Sequence, residues 1–247
     1  MLTFVRAMSV VLAMAPQLVA TSVRAQPDLG VAGLVVDVGL DDDAGFGLAQ
    51  LDTAVTPVHG LQLDLGLIDY NAGAVGQIAA HAYMMPTEGQ KYGLFAVLGD
   101  ADERSRTYGT IGIEGLFSIM PNTTLGLGGG IGLADPGSWD FIYLDAGLSH
   151  AIGPGFRIDY GLTLTEIDEE AMDTIGTEAR IGIRYAAPKA PWGAFAEARY
   201  DELDGDDDTT FRAGLSFTFG RGGGFDPEDR MFRTADPLGP LFRRGQL

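Results

Sequence analysis

Cysteine is absent from all 247 residues. That excludes disulfide frameworks, thiolate zinc sites, iron–sulfur clusters and thiol nucleophiles. Basic side chains are scarce, with 16 Lys and Arg against 34 Asp and Glu and a formal charge of −18. This sign excludes a nucleic-acid binder that works by neutralising phosphates. His is rarer still, and His59, His81 and His150 are scattered rather than clustered. Past residue 25 no apolar run approaches the ~20 residues of a transmembrane helix, so any crossing of a membrane falls to strands. Polarity is too low for disorder as the main state, since 46% of residues are hydrophobic and mean hydropathy is +0.10. What abounds is Gly, 36 residues without a G-X-Y period, which points to β structure with many turns. Length leaves one large β domain or two average ones open.

Residues 1–25, MLTFVRAMSVVLAMAPQLVATSVRA, carry Arg6 and no acid, then an apolar stretch from Ala7 to Ala20. Val23 and Ala25 fit the −3 and −1 positions of a signal-peptidase site, so cleavage after Ala25 and export are expected. Pro16 and the shortness of the run argue against a retained anchor.

Alternation with a period of two then recurs along the chain. Leu61, Leu63, Leu65 and Leu67 oppose Gln62, Asp64 and Gly66. Phe211, Ala213, Leu215, Phe217 and Phe219 oppose Thr210, Arg212, Gly214, Ser216 and Thr218. Strands are expected near 31–40, 45–52, 58–68, 75–85, 91–99, 106–120, 124–133, 140–151, 156–166, 177–186, 192–200 and 209–219. The second is the least regular, because Gln50 and Asp52 fall on the face that begins with Phe46 and Leu48.

The links alternate in kind. After even strands they are short and mostly Pro-bearing (TPVHG, MPTEGQ, MPN, GPG, APKAP), and after odd strands they are acidic. An up-and-down meander places these two kinds at opposite ends. The acidic end then holds Asp41, Asp42 and Asp43 from the first link and Asp204, Asp206, Asp207 and Asp208 from the last, with only Arg104 and Arg106 against the whole set. Tyr92, Phe117, Phe156, Tyr185, Trp192 and Phe219 mark the short-turn rim, and Phe46, Tyr200 and Phe211 the acidic rim, as two aromatic girdles do.

The last strand reads Arg212-Ala-Gly214-Leu-Ser-Phe217-Thr-Phe219. It resembles the β-signal of Gram-negative outer-membrane proteins. With the export segment, the alternating strands and the sided links, the chain resembles a small porin-like outer-membrane β-barrel over roughly residues 28–219. The resemblance implies an all-β fold, an up-and-down antiparallel transmembrane barrel of about 12 strands, in the domain 26–220. It also implies an outer-membrane location, insertion by the barrel-assembly machinery through Gly214, Phe217 and Phe219, and contacts with lipid and lipopolysaccharide. A soluble sandwich is the rival, but it would expose glycines such as Gly112, Gly126, Gly128 and Gly130 on its solvent face, where they pack nothing.

On the expected lumen wall stand Arg157, Arg180, Arg184, Arg199 and Arg212, with Asp37, Asp64, Glu114, Asp145, Asp159, Glu178 and Glu197. A hairpin about APKAP that pairs Tyr185 with Trp192 also pairs Glu178 with Arg199 and Arg180 with Glu197. Ser149 and His150 fall on opposite faces of a strand and cannot be a nucleophile and its base. No catalytic set emerges, and no cofactor is expected beyond weak divalent-cation binding by the acidic links. Residues 221–247 contain Gly, Pro and five Arg, and two readings stand: a disordered periplasmic tail, or a partial plug at the periplasmic mouth anchored by Phe225, Phe232 and Phe242.

Function then divides into a passive channel for small hydrophilic solutes or ions, cation-favouring through its acidic mouth, and a closed barrel with a structural or surface-interaction role. The alternation of links predicts that a label added to intact cells reaches 201–208 and spares 186–191. Labelling of both segments, or of 186–191 alone, would invert the orientation.

Overall fold

The computed structural model describes residues 29–245 except 43, 71–72, 102–105, 136–138, 170–171 and 225. The export segment 1–25 and Asp43 lie outside these residues. The chain forms β1 (Gly30–Asp41), β2 (Ala44–Ala54), β3 (His59–Tyr70), β4 (Gly73–Met84), β5 (Gln90–Ala101) and β6 (Arg106–Met120). It continues through β7 (Thr123–Asp135), β8 (Trp139–Gly153), β9 (Phe156–Glu169), β10 (Met172–Ala186), β11 (Trp192–Leu203) and β12 (Asp206–Gly220). Every strand pairs antiparallel with its sequence neighbours, and β12 pairs with β1, from Gly33↔Gly220 to Asp41↔Arg212, to close the barrel. Closure leaves no sheet edge unpaired, the condition for crossing lipid with strands.

Alternation decides what faces where. Leu94, Leu98, Ile111, Ile113, Leu133 and Leu144 are each at least 60% exposed on the outer surface. An apolar belt of that extent belongs in lipid. Inward positions carry polar and aromatic groups instead, among them Gln62, Asp64, His81 and Lys91, each at most 1% exposed. Glycines on the inner face make room for these. A Cβ at Gly161 would stand 2.2 Å from the Arg180 guanidinium carbon, and one at Gly99 would stand 2.1 Å from the Tyr108 ring.

Three expectations change in the structure. First, the acidic links are shorter than the hydrophobic pattern implies. β11 and β12 remain paired through Asp201↔Asp208, Glu202↔Asp207 and Leu203↔Asp206, leaving a two-residue turn. Asp204 (φ 55°) and Gly205 (φ 80°) both take the left-handed backbone that such a hairpin turn requires. A strand ladder is held by main-chain bonds, so it outlasts the point where outward residues change from apolar to acidic. Asp41, expected in a cation-attracting link, is accordingly an inward wall residue only 4% exposed. Asp42 stays at the rim, where its Oδ1 accepts from Phe211 N–H (2.9 Å). Asp204, Asp206, Asp207 and Asp208 are exposed there.

Second, Phe46 belongs to no outer girdle. It is 4% exposed, inside the barrel, with the Arg212 guanidinium 4.3 Å from its ring centre. The irregular face of β2 is therefore its lumen face, and Gln50 and Asp52 are buried there. Tyr92, Phe156, Trp192, Tyr200 and Phe211 do lie outward and exposed.

Third, the β10–β11 register differs by two residues from the one expected. Arg180 opposes Arg199, Glu178 opposes Asp201, and Glu197 opposes Gly182. The five-residue link closes by Ala187 N–H donating to Trp192 O (3.1 Å), and Tyr185 meets Trp192 diagonally, ring centres 6.0 Å apart. Like charges can stand opposite because each finds a partner elsewhere. Arg180 bonds Asp145 across two strands (3.0 Å), and Arg199 bonds Glu197 (2.6 Å) and approaches Asp41 (3.6 Å).

A double-mutant cycle checks this register. Arg180→Glu with Asp145→Arg should show a coupling of about 1–3 kcal/mol in denaturant titrations of the refolded barrel. Arg180→Glu with Glu197→Arg should couple weakly, and the reverse ranking would reinstate the first register.

Candidate functional site

The lumen is occupied by the chain's own tail. From Gly220 at the short-turn end, residues 221–224 and 226–245 enter the barrel and run to the acidic end. A 3-10 turn, Pro227–Asp229, stands at the entrance. A single helical turn, α1 (Gly239–Arg243), ends beside β11. Pro and Gly deny this segment regular structure of its own, so its shape comes from the wall around it.

At the entrance, Glu228 accepts from Gly89 N–H, and buried Lys91 donates to Arg230 O (2.7 Å). Arg230 lies 3.9 Å from Asp159, while burial and the nearby Arg157 charge lower its pKa. Arg157 itself bonds Asp159 (2.9 Å), and Arg184 bonds Asp37 (2.9 Å).

At mid-barrel, Phe232 is held by backbone and ring together. Its N–H donates to Gln62 Oε1 (2.8 Å), and its carbonyl accepts from Gln50 and Gln62 (2.9 Å each). Both glutamines also donate to Asp64 (2.9 and 2.8 Å), which fixes their amides. The Phe232 ring stacks on His81 (5.8 Å between centres), meets the Tyr83 ring edge-on, and lies 4.7 Å from Lys91 Nζ. Tyr83 is fixed in turn by donating to Asp52 (2.5 Å). His81 places one ring nitrogen against Glu114 (2.7 Å) and the other 3.3 Å from Thr234 Oγ1. Thr234 donates to Asp64 (2.8 Å), and Arg233 pairs with Glu197 (3.0 Å).

Toward the acidic end the contacts become apolar. Leu238, Leu241 and Phe242, each at most 4% exposed, join a cluster with Tyr70, Val97, Tyr108, Phe141, Ile167 and Leu203. Burying such side chains contributes roughly 1.5–3 kcal/mol each. Thr165 donates to Pro237 O (3.1 Å). Arg243 bonds Glu178 (2.7 Å) and Asp201 (3.2 Å), and Arg244 bonds Asp201 (2.6 Å). The like-charged pair Glu178 and Asp201 is thus bridged by the tail.

Charge follows the same division. Ten carboxylates line the wall between the rims: Asp37, Asp41, Asp52, Asp64, Glu114, Asp145, Asp159, Glu178, Glu197 and Asp201. Six Lys and Arg side chains stand with them, Lys91, Arg157, Arg180, Arg184, Arg199 and Arg212, and His81 lies between Glu114 and Asp64. Four tail guanidiniums, those of Arg230, Arg233, Arg243 and Arg244, add to these and pair with carboxylates of the wall. Asp236, also in the tail, is half-buried and accepts from the Tyr70 hydroxyl (3.5 Å). The twelve charged residues read from the sequence as lumen wall all face inward and share this network. Asp41, Asp52, Lys91 and Asp201 were not among them. Asp41 and Asp201 sit where a strand-end acid reads as a link, and Asp52 and Lys91 sit outside clear alternation.

Cavities beside the tail include one of about 260 Å³, near Asp37, Arg157 and Arg184, and one of about 130 Å³, near His81, Glu114 and Thr234. A larger hollow of about 2330 Å³ is bordered by outward residues such as Leu65, Leu98, Ile111 and Ile131 and by inner-face residues such as Gln77, Val97, Tyr108 and Thr110. Ser149 points inward to Asp159, whereas His150 is exposed and bonds Thr123. Among the described residues no three His, Asp or Glu side chains converge as a metal site. Of the β-signal residues, Phe217 and Phe219 pair with Val36 and Leu34 of β1 in the closing seam. A Cβ at Gly214 would stand 2.3 Å from Val38 O, so only Gly fits there.

These features define a small up-and-down transmembrane barrel with an internal plug. Its fold is similar to that of several solved outer-membrane proteins. The KdgM porin aligns with 11% identity and a TM-score of 0.56, over 76% of this chain and 99% of that one. A NanC porin aligns with 12% identity and a TM-score of 0.55, over 74% and 98%. The COG4313 outer-membrane channel from Pseudomonas putida F1 aligns with 13% identity and a TM-score of 0.57, over 81% and 100%. No protein-family model and no curated protein matches the sequence.

The cysteine-free chain allows a direct test of docking. A Cys introduced at Ala235, half-buried against the apolar cluster, should react slowly with a water-soluble maleimide. Adding Arg243→Glu removes two charge-assisted bonds and should speed labelling by at least about tenfold. Equal rates would mean the tail is not held by that pair.

Proposed function

We propose that the protein is an outer-membrane channel for small hydrophilic solutes, held closed by its own C-terminal tail and cation-favouring when the tail withdraws. The supporting observation is the docked segment 230–244, which runs through the lumen and sets four guanidiniums against the carboxylates of its wall. In this reading residues 1–25 direct export and are removed. The barrel-assembly machinery engages β12, and the acidic hairpins face the cell exterior. The KdgM porin has also been solved in complex with disordered oligogalacturonate, a polyanion. Carboxylates outnumber Lys and Arg on the wall here, which disfavours a polyanion. No catalytic role is proposed.

The packed lumen also favours a second reading, a closed structural barrel. Outward carboxylates at the acidic end, such as Asp100, Asp135 and Glu166, would then meet lipopolysaccharide through bridging divalent cations.

Planar-bilayer recording separates the two. The full chain should open rarely, and a chain ending at residue 224 should conduct steadily, with its folding checked by circular dichroism. The open channel should prefer K⁺ over Cl⁻. Asn at Asp206, Asp207 and Asp208 should reduce that preference less than Gln at Glu178 and Glu197. Exposed rim charges are screened within about 10 Å at 0.1 M salt, and enclosed wall charges are screened much less. Anion preference would overturn the cation reading, and silence from folded, truncated barrel would leave the structural one.

A further inference from the structure

We propose that the lumen is a binding site for extended cationic peptides, and that the tail occupies it as a tethered stand-in for such a peptide. This deepens the channel reading and rests on the tail being displaceable.

The wall grips the tail largely through groups that any peptide carries. Gln62 takes both the N–H and the carbonyl of Phe232, Thr165 takes the carbonyl of Pro237, and Lys91 that of Arg230. Main-chain bonds of this kind give affinity without reading sequence. The amides of Gln50 and Gln62 are aligned by Asp64, a buried wall residue 0% exposed, so the grip is held by the barrel.

Side-chain selection is by charge. Carboxylates wait at three depths, Asp159 near the entrance, Glu197 at mid-barrel, and Glu178 with Asp201 near the acidic end. The tail meets each depth with a guanidinium, whose planar fork suits carboxylates. Glu178 and Asp201 share the face of adjacent strands, and Arg243 bonds both, so the bridge between them comes from the occupant. A neutral saccharide would leave Glu178 and Asp201 without the guanidiniums that bridge them, and a polyanion would be repelled. Between Asp159 and Glu197, the ring surface of His81 and Tyr83 receives an apolar side chain.

Tethering explains how the tail can hold the site and still yield. A linked ligand acts at an effective concentration in the millimolar range. Moderate intrinsic affinity therefore keeps the lumen filled, and a free cationic peptide at comparable local concentration competes for the same groups.

The test uses full-length protein with a weakened tail, Arg233→Gln with Arg243→Gln, and Phe232→Ala as a second variant should the first fail to fold. The probes are a synthetic peptide of residues 230–244, a scrambled peptide of the same composition, and the first peptide with Gln for all four Arg. Expected is block of the variant's current by both Arg-bearing peptides, with the Gln peptide at least about tenfold weaker. Block by the native-order peptide alone would make the lumen a latch for its own tail and overturn the proposal. So would equal block by all three, or block by none. If the folded variant carries no current, the gating reading fails by itself. Anisotropy of the same peptides, fluorescently labelled, then decides, with binding of both Arg-bearing peptides in support and any other pattern against.

Discussion

The governing constraint is that a carboxylate enclosed by a lipid-embedded barrel needs a partner. Removing an ion from water costs several kcal/mol even after relaxation, and a lone buried charge is strongly destabilising. On the wall carboxylates outnumber Lys and Arg, and two of them, Glu178 and Asp201, face each other across β10 and β11. Guanidiniums from outside the wall resolve both problems. This explains why a Pro- and Gly-rich segment with no tendency toward regular structure follows one path along the whole barrel. The path is set by partners, at Asp159, Glu197, Glu178 and Asp201, and sealed at the acidic end by Leu238, Leu241 and Phe242.

Steric fit follows from the same demand. Lumen-facing rings such as Tyr108, Phe141 and Tyr143 need room to lie against the wall, and glycines across the strand supply it, as Gly99 does for Tyr108. Arg180 likewise lies over Gly161 while reaching Asp145. The glycine richness of the sequence is therefore spent partly on packing a crowded interior, and less on turns than composition implies.

Much of the barrel was legible in the sequence because lipid imposes a strict rule on one face. Alternation gave twelve strands, their neighbours and the inward set from Asp37 to Glu197. Legibility ended where that rule ends. Beyond the apolar belt the outward residues become acidic, so strand ends such as Asp201–Leu203 looked like links, although main-chain pairing continued. Opposite-charge pairing between adjacent strands does not mark the register here. Arg180 is paired to Asp145 instead, and Arg199 to its own strand neighbour Glu197. Phe46 was assigned outward because its hydrophobicity matched the girdle, when its partner is an inward arginine. The tail's route was the least legible of all, since no period marks a segment shaped wholly by tertiary contacts.

The placement of charge bears on how selectivity arises. Acidic hairpins invite an account in which the mouth attracts cations, as Asp206, Asp207 and Asp208 do on the sequence. Those groups are exposed to solvent, so counter-ions screen them over about 10 Å at 0.1 M salt. The wall carboxylates are enclosed by protein and lipid, where the effective dielectric is lower and each charge acts more strongly on a nearby ion. Occupied by the tail, that wall is neutralised and has little to offer a passing cation. Vacated, it presents its whole excess along the permeation path. In the proposed channel, closure and selectivity would be two states of one set of carboxylates: the groups that hold the plug would also choose the solute.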